Sequence, residues 1–429
     1  MRQHIVVGLD VGTTKICAVA AQVHGADINL LGMGVSPSAG LRKGMVINID
    51  DAVASIRMAL DETEASSGVR VRSVSVGISG SHVRGFESCG AVGVRGKEVS
   101  HTDVERAIES ARAVYIPLDR EVLHVIPTEF ILDGQEGISN PVGMSGVRLE
   151  ARVHIITGAV SSVQNLMKCC EKAGLDVVDL VFEPLASARA ALTRDEKEAG
   201  VVLVDIGGGT TDIALFREGS LRYASVLGVG GNHITNDIAV GLRIQMSEAE
   251  RLKKTAGATV ISRDDEEQEV QMTEACGQVR SLHRASLINI IQPRCQEMLE
   301  LVREELKRCF GYEHAVYGVV LTGGSSQLRG FDRMAASVLQ LPVRIGTPDI
   351  ISLPDHAAGP ILRSPQYATG VGLVACSSVV DRPRAVHQVS SNSLLGRMRH
   401  WAKDLFKNTE VINPDYKKEG GMVCSKSKK

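Results

Sequence analysis

Residues Val201 to Ile213 read VVLVDIGGGTTDI. An apolar run of strand length ends at Asp205, and Gly207, Gly208 and Gly209 follow before Thr210, Thr211 and a second acid, Asp212. Successive glycines let the backbone turn without Cβ clashes and bring several N–H groups toward one anion, so the stretch is expected to cradle phosphate. Asp205, at the strand's end, is placed to hold Mg²⁺ through water, and the hydroxyls of Thr210 and Thr211 can reach a terminal phosphate. A Gly-rich hairpin with no ligand has the same local pattern, so the reading depends on what else the chain carries.

The pattern occurs twice. Ile5 to Lys15, IVVGLDVGTTK, repeats the order of apolar strand, acid, glycine and paired threonines, and ends in a lysine. Asp10 and Asp205 lie 195 residues apart. Two such loops at that separation predict two similar α/β halves facing each other across a cleft, each giving one hairpin to the same polyphosphate.

Composition agrees with a chain of that size. At 429 residues it exceeds what one hydrophobic core usually supports, so several subdomains are expected. With 44% hydrophobic residues, 23% charged residues and a net charge of −2, it has no global polybasic character, and nucleic acid is not an expected partner. The nine cysteines form neither a CxxC pair nor a zinc spacing, so reduced thiols in a cytosol are expected, with Cys169 and Cys170 read as helix-packing residues. Asp10 interrupts the first apolar run, which argues against a signal peptide, and no apolar run reaches spanning length.

Read in order, Ile5–Asp10, Ile16–Val23 and Ile28–Val35 form a strand meander, followed by a helix over Ile49–Ser66 and a strand over Val71–Ser79. Residues Gly85 to Thr157 have a different character. They are expected to hold a helix at Asp103–Ala113, capped with help from Thr102 and Glu105, and strands near His124–Asp133 and Leu149–Ile156. Glu129, Asp133 and Glu136 are read as solvated carboxylates. A helix at Ser161–Ala173 and a strand at Val177–Phe182 lead to EPLASARAAL (Glu183–Leu192), whose alanines allow close helix contact. Beyond the Gly-rich loop come a strand at Leu221–Leu227, a helix at His233–Val240, SEAERLKKTAG (Ser247–Gly257), and an acidic run Asp264–Glu269 read as a solvated hairpin. The basic group Arg280, His283 and Arg284 follows, and then a long helix, Leu287–Phe310. Val316–Thr322 is a buried strand running into GGSSQLRG (Gly323–Gly330), where two glycines permit a flat ring to lie on backbone.

These segments together resemble the actin-like ATPase superfamily of actin, DnaK-type chaperones and sugar kinases. DVGTTK and DIGGGTTD are similar to its two phosphate motifs, LTGGSSQLRG to its adenosine motif, and EPLASARAAL and YATGVGL (Tyr367–Leu373) to its hinge segments. Within that superfamily, HVIPTEFILDGQEGISNPVGMSGVRLEARVHIIT (His124–Thr157) resembles the extra subdomain of the FtsA family of bacterial division proteins. The resemblance implies ATP and Mg²⁺ as cofactors. Asp10, Gly12, Thr13, Thr14 and Lys15 would surround the phosphates from one side and Asp205, Gly207, Gly208, Gly209 and Thr210 from the other, with Mg²⁺ between Asp10 and Asp205 through water. ERLKK is similar to the chaperones' ERAKR segment, which points Glu250 and Lys253 at ribose and adenine, and Gly323, Gly324 and Ser325 would complete that pocket. Glu183 aligns with the chaperone carboxylate that helps position attacking water; the chaperone lysine has no counterpart here, so ATP binding is expected and its hydrolysis, at most slow, is left open.

The resemblance also implies a division of the chain. Residues 1–84 with 161–198 and 366–378 would form the first actin-like subdomain, 85–160 the extra one, 199–235 with 287–365 the second actin-like subdomain, and 236–286 its smaller companion. Residues 379–392 read as a linker and 408–429 as a polar tail.

Between linker and tail lies SLLGRMRHWAKDLFK, 393–407. At helical steps Leu394, Leu395, Met398, Trp401, Leu405 and Phe406 gather with Ala402 into an arc of roughly 140°, and the basic residues fall outside it. A basic amphipathic helix with tryptophan on its apolar face is what interfacial anchoring at anionic lipid requires. The FtsA family implies the rest of the expected function: a self-polymerising, peripheral protein on the cytoplasmic face of the bacterial membrane at the division site, tethering FtsZ and meeting other division proteins. Arg280, Arg284 and Arg294 are the basic candidates for FtsZ's tail. A small-molecule kinase or phosphatase of the same superfamily is the alternative, but no catalytic acid for a substrate hydroxyl is evident in the extra subdomain and a soluble kinase has no use for the terminal helix.

Overall fold

The computed structural model describes residues 4–24, 27–274, 277–309, 317–349 and 362–378. Two five-stranded sheets carry the fold, and they are wound alike. The first has the order Asp176–Phe182, Ser73–Ile78, His4–Val11, Lys15–His24, Asp27–Pro37. Its last three strands form an antiparallel meander, while Ser73–Ile78 runs parallel to both His4–Val11 and Asp176–Phe182. The second has the order Val343–Ile345, Val319–Thr322, Val201–Ile206, Thr211–Arg217, Ser220–Leu227, again an antiparallel meander followed by two parallel additions. Parallel neighbours need crossovers, and helices supply them, which is why Val201–Ile206 is buried on both faces and reads as continuous apolar sequence.

Helix Ile49–Ser67 packs on the first meander. Asn48 caps it by accepting from the N–H groups of Asp50 and Asp51, and Gly68, at φ 68°, ends it. Helix Glu183–Ala191 lies directly against helix Ala368–Ser378: a Cβ at Gly372 would sit 1.8 Å from the Ala186 carbonyl oxygen, so only glycine permits this approach. The small residues expected to bring two hinge helices together do so.

Between Ser73–Ile78 and Val160–Lys172 a separate antiparallel sheet intervenes, in the order Arg84–Gly93, Arg148–Ala159, Arg120–Leu132, Gln135–Ile138, with helix His101–Arg112 on one face. The helix starts two residues before the expected Asp103. Its cap is Ser100, whose hydroxyl accepts from Asp103 N–H while Asp103 Oδ2 accepts from Ser100 N–H, so Thr102 and Glu105 are not the capping pair. Of the carboxylates read as solvated, Asp133 and Glu136 are exposed as expected and Glu129 is half-buried, and all three are also engaged. Glu129 and Glu136 both pair with Arg152, and Asp133 accepts from the N–H groups of Val147 and Arg148, fixing the turn between the sheet's strands.

In the second half, helices Gly231–Leu242, Met246–Ala256 and Arg284–Arg308 share one core with the sheet, through Ile238, Leu252, Leu287 and Met298 among others. Residues Arg263–Glu267 form a short helix, with a hairpin of Glu269–Thr273 and Val279–His283 after it. The acidic run is therefore not a wholly solvated hairpin. Asp265 is fully buried and takes ion pairs from Arg284 and Arg329 and a hydrogen bond from Ser262 Oγ. Cys169 and Cys170 are buried free thiols in helix Val160–Lys172. Among the described residues no helix is long and apolar enough to cross a membrane. The expected linker 379–392, amphipathic helix 393–407 and tail 408–429 lie outside the described residues.

Candidate nucleotide cleft

The two hairpin turns match residue for residue. In the first, Asp10 pairs across the ladder with Cys17 and Val11 with Ile16; in the second, Asp205 pairs with Asp212 and Ile206 with Thr211. Gly12, Thr13, Thr14 and Lys15 make one turn and Gly207, Gly208, Gly209 and Thr210 the other. Each is closed by the same bond, from Gly12 N–H to Lys15 O and from Gly207 N–H to Thr210 O, both 3.0 Å. The turns face each other so closely that a Cβ at Gly208 would lie 2.2 Å from Thr14 Cγ2, and one at Gly209 2.6 Å from Thr13 Oγ1. Glycine is thus required first by the opposite turn, a constraint that only the assembled fold reveals.

Acids crowd the floor of this cleft. Asp10 Oδ2 accepts from Lys15 Nζ at 2.9 Å. Asp205 Oδ2 accepts from Ser187 Oγ at 2.7 Å and Thr369 Oγ1 at 3.3 Å, so both hinge helices grip the second acid. Asp212 Oδ1 accepts from Ser79 Oγ at 2.8 Å, and Glu183 opens the hinge helix beside them. Burial, and then the charges of Asp10, Asp212 and Asp205, push the Glu183 carboxyl well above the ordinary range. Burial followed by Asp205 pushes Asp212 up to about 8. Asp205 is raised mainly by burial, and the hydroxyls of Ser187 and Thr369 oppose the rise. For Lys15 burial works against the charge, but neighbouring Asp10 more than compensates and the ammonium is held above its usual value. Carboxyls gathered so tightly are short of positive charge, and this is the observation by which a divalent cation fits the site. Among the described residues no group of three or more His, Cys, Asp or Glu could hold a metal unaided, so a cation here would take most of its ligands from water and phosphate, as Mg²⁺ does.

A second group lies at the start of helix Gly231–Leu242. Lys253 Nζ pairs with Glu250 at 2.6 Å and donates to Gly231 O and Thr235 Oγ1 at 3.2 and 2.9 Å. Ser325 Oγ reaches Gly207 O at 3.4 Å, and a Cβ at Gly231 would lie 2.4 Å from that hydroxyl. Glu250, Lys253 and Ser325 thus meet around Gly231, next to the Gly207 turn. Gly323, at φ 84°, packs against Asp205, where a Cβ would lie 2.4 Å from Oδ1, and Gly324 begins the short helical turn Gly324–Gln327, where a Cβ would lie 3.9 Å from that of Gln366.

The three arginines do not form one surface. Arg284 is nearly buried, held by Asp265 and the Ala256 carbonyl. Arg294 pairs with Asp237 and Glu297 on the long helix. Arg280 stands out on the hairpin, with its side chain 64% exposed and only a 3.5 Å contact to Glu274. Ser79, Ser187 and Thr369 were not singled out in the sequence. The last two lie inside the hinge segments, where their hydroxyls were hidden among small residues, and nothing local marks Ser79.

Two like-wound sheets, with paired acid-bearing turns over a shared cleft, define an actin-like ATPase fold. The comparisons with known structures agree. The PilM–PilN type IV pilus biogenesis complex aligns at a TM-score of 0.66 and 20% identity over 88% of this chain and 99% of that one, and MreB5 of Spiroplasma citri, solved bound to ADP, at 0.52 and 15% over 86% and 94%. Residues 202–372 match the family described as cell division protein FtsA, and residues 80–157 the SHS2 domain inserted in FtsA. Cell division protein FtsA of Pseudomonas aeruginosa is 40% identical over 415 residues, 94% of this chain and 98% of that protein. The chain belongs to the FtsA family of cell division proteins.

Proposed function

We propose that the cleft binds ATP with Mg²⁺ and that nucleotide controls a polymer tethering FtsZ to the cytoplasmic face of the membrane during septum assembly. The observation carrying this reading is the duplicated turn: two acids, Asp10 and Asp205, at equivalent ladder positions, on turns that face each other at Gly208 and Thr14 and at Gly209 and Thr13. Thr13, Thr14 and Lys15 would hold the phosphates from the first half and Gly207 to Thr210 from the second. Glu250, Lys253, Gly323, Gly324 and Ser325 would form the adenosine side. When bound, Mg²⁺ would neutralise the terminal phosphates, and Asp10 and Asp205 would orient it through its water ligands. That MreB5, a protein of the same fold, was solved with ADP supports nucleotide as the ligand.

Attachment is assigned to 393–407, with Leu394, Leu395, Met398, Trp401, Leu405 and Phe406 entering the lipid interface and the basic face meeting anionic headgroups. One helix binds moderately; a polymer presents many and converts this into avidity, giving nucleotide a physical route to control attachment. Arg280 is the most exposed of the three partner candidates, and its long contact to Glu274 leaves most of the guanidinium open to an acidic tail. Co-sedimentation of the full chain and FtsZ with anionic vesicles tests the reading. The expected result is FtsZ in the pellet only with this chain present, and more of the chain pelleted with Mg·ATP than without; no dependence on either would overturn it.

A further inference from the structure

Next to the phosphate turns lies a cavity lined by Val11, Gly44, Ser79, His82, Ser162 and Glu183, among others. Its empty space is about 280 Å³ including the mouth, which admits water. One polar side chain facing it lacks partners: Nδ1 and Nε2 of His82 are both buried with no hydrogen bond, and the Glu183 carboxyl lines the same cavity. A buried ring with two unsatisfied nitrogens is costly unless water completes it. The backbone explains why His82 stays. Its carbonyl accepts from Arg120 Nη2 at 3.0 Å, and a Cβ at Gly80 would lie 2.7 Å from Nδ1, so the ring is wedged in place at the entry to the inserted sheet.

We propose that this cavity seats the water that attacks the terminal phosphate, and that His82 is a positioning residue sharing that water with Glu183. The inference rests on the nucleotide reading above and goes beyond it by assigning hydrolysis to a named water site. Burial, with Arg120 and Arg84 nearby, drives the His82 pKa down to about 4, so the ring is neutral and offers one acceptor nitrogen. Water donating one hydrogen to that nitrogen and the other to the Glu183 carbonyl oxygen keeps a lone pair for phosphorus. In the step, the water oxygen bonds to the γ-phosphorus as the bond from that phosphorus to the β–γ bridging oxygen breaks. ADP keeps the bridging oxygen and its electron pair, and one water proton leaves through the cavity to solvent.

The test measures Mg·ATP turnover by phosphate release and, separately, equilibrium binding of a fluorescent ATP analogue, for the full chain on anionic vesicles. His82→Leu is expected to lower kcat about tenfold with KM and analogue affinity within about twofold of wild type, and His82→Gln, which restores an acceptor, to recover at least about a third of the lost rate. Equal kcat in wild type and His82→Leu, loss of affinity in step with kcat, no recovery in a folded His82→Gln, or a wild type that binds the analogue without turning over ATP would each overturn the proposal. A wild type that does not bind the analogue at all would instead sink the nucleotide reading beneath it.

Discussion

Ser79 Oγ, on the first half, donates a 2.8 Å hydrogen bond to Asp212 Oδ1 on the second, so the halves are joined at the cleft floor by a buried hydroxyl and a carboxyl pushed up to about 8. A raised folded-state pKa means that the folded chain holds the proton more tightly than the unfolded chain. Stability contributed by that proton is present below the unfolded carboxylate pKa and is lost as pH rises toward 8. Asp212→Asn removes the titration and keeps an oxygen for Ser79. Its melting temperature should match wild type near pH 4 and exceed it increasingly up to pH 8; a difference independent of pH would contradict this.

Asp265 works in the opposite sense. Burial alone would raise its pKa, but Ser262, Arg329 and Arg284 outweigh that and hold it down to about 2. Its contribution is complete above the unfolded carboxylate pKa and disappears as pH falls toward 2. Asp265→Ala leaves both arginines unpaired and should cost about 3–5 kcal/mol by denaturant unfolding at pH 7, since one partner of a buried ion pair is removed.

These two acids mark where the sequence stops being legible. The duplicated strand–turn pattern of Asp10 and Asp205 and the helical period of Ile49–Ser67 are local, and both halves follow from them. Asp265 stands inside an acidic run that looks solvated, and its burial comes from Arg284 and Arg329, neither of them nearby in the chain. The capping of His101–Arg112 was missed for a smaller reason. Asp103 can fill the Glu position of a capping box, so Ser100 was a valid signal two residues upstream of the one chosen.

The three basic candidates should separate on mutation. Arg284→Glu places a second acid beside Asp265 and should lower the melting temperature by several degrees, whereas Arg280→Glu on the hairpin should leave it within about 1 °C and reduce FtsZ co-pelleting. Unchanged co-pelleting with Arg280→Glu would place the partner surface elsewhere.

Trp401→Glu should release the chain from anionic vesicles. Six large apolar side chains at about 1.5–3 kcal/mol each, when fully buried, leave several kcal/mol after partial insertion and helix ordering, and exchanging the largest of them for a carboxylate removes its contribution and puts a charge on the edge of that face. Binding of the ATP analogue should stay within about twofold of wild type. Full vesicle retention of Trp401→Glu would end the anchoring role given to residues 393–407.

The central claim is that one Mg·ATP sits between the turns of Asp10 and Asp205, and its most direct measurement is equilibrium titration of a fluorescent ATP analogue with Mg²⁺ into wild type and Gly208→Val. A side chain at residue 208 meets Thr14 of the opposite turn and fills the space the phosphates need. Wild type should bind saturably, with Mg²⁺ dependence, at one site per chain, and a folded Gly208→Val at least about a hundredfold more weakly. Equal affinity in the two proteins, or no saturable binding by wild type, would contradict it.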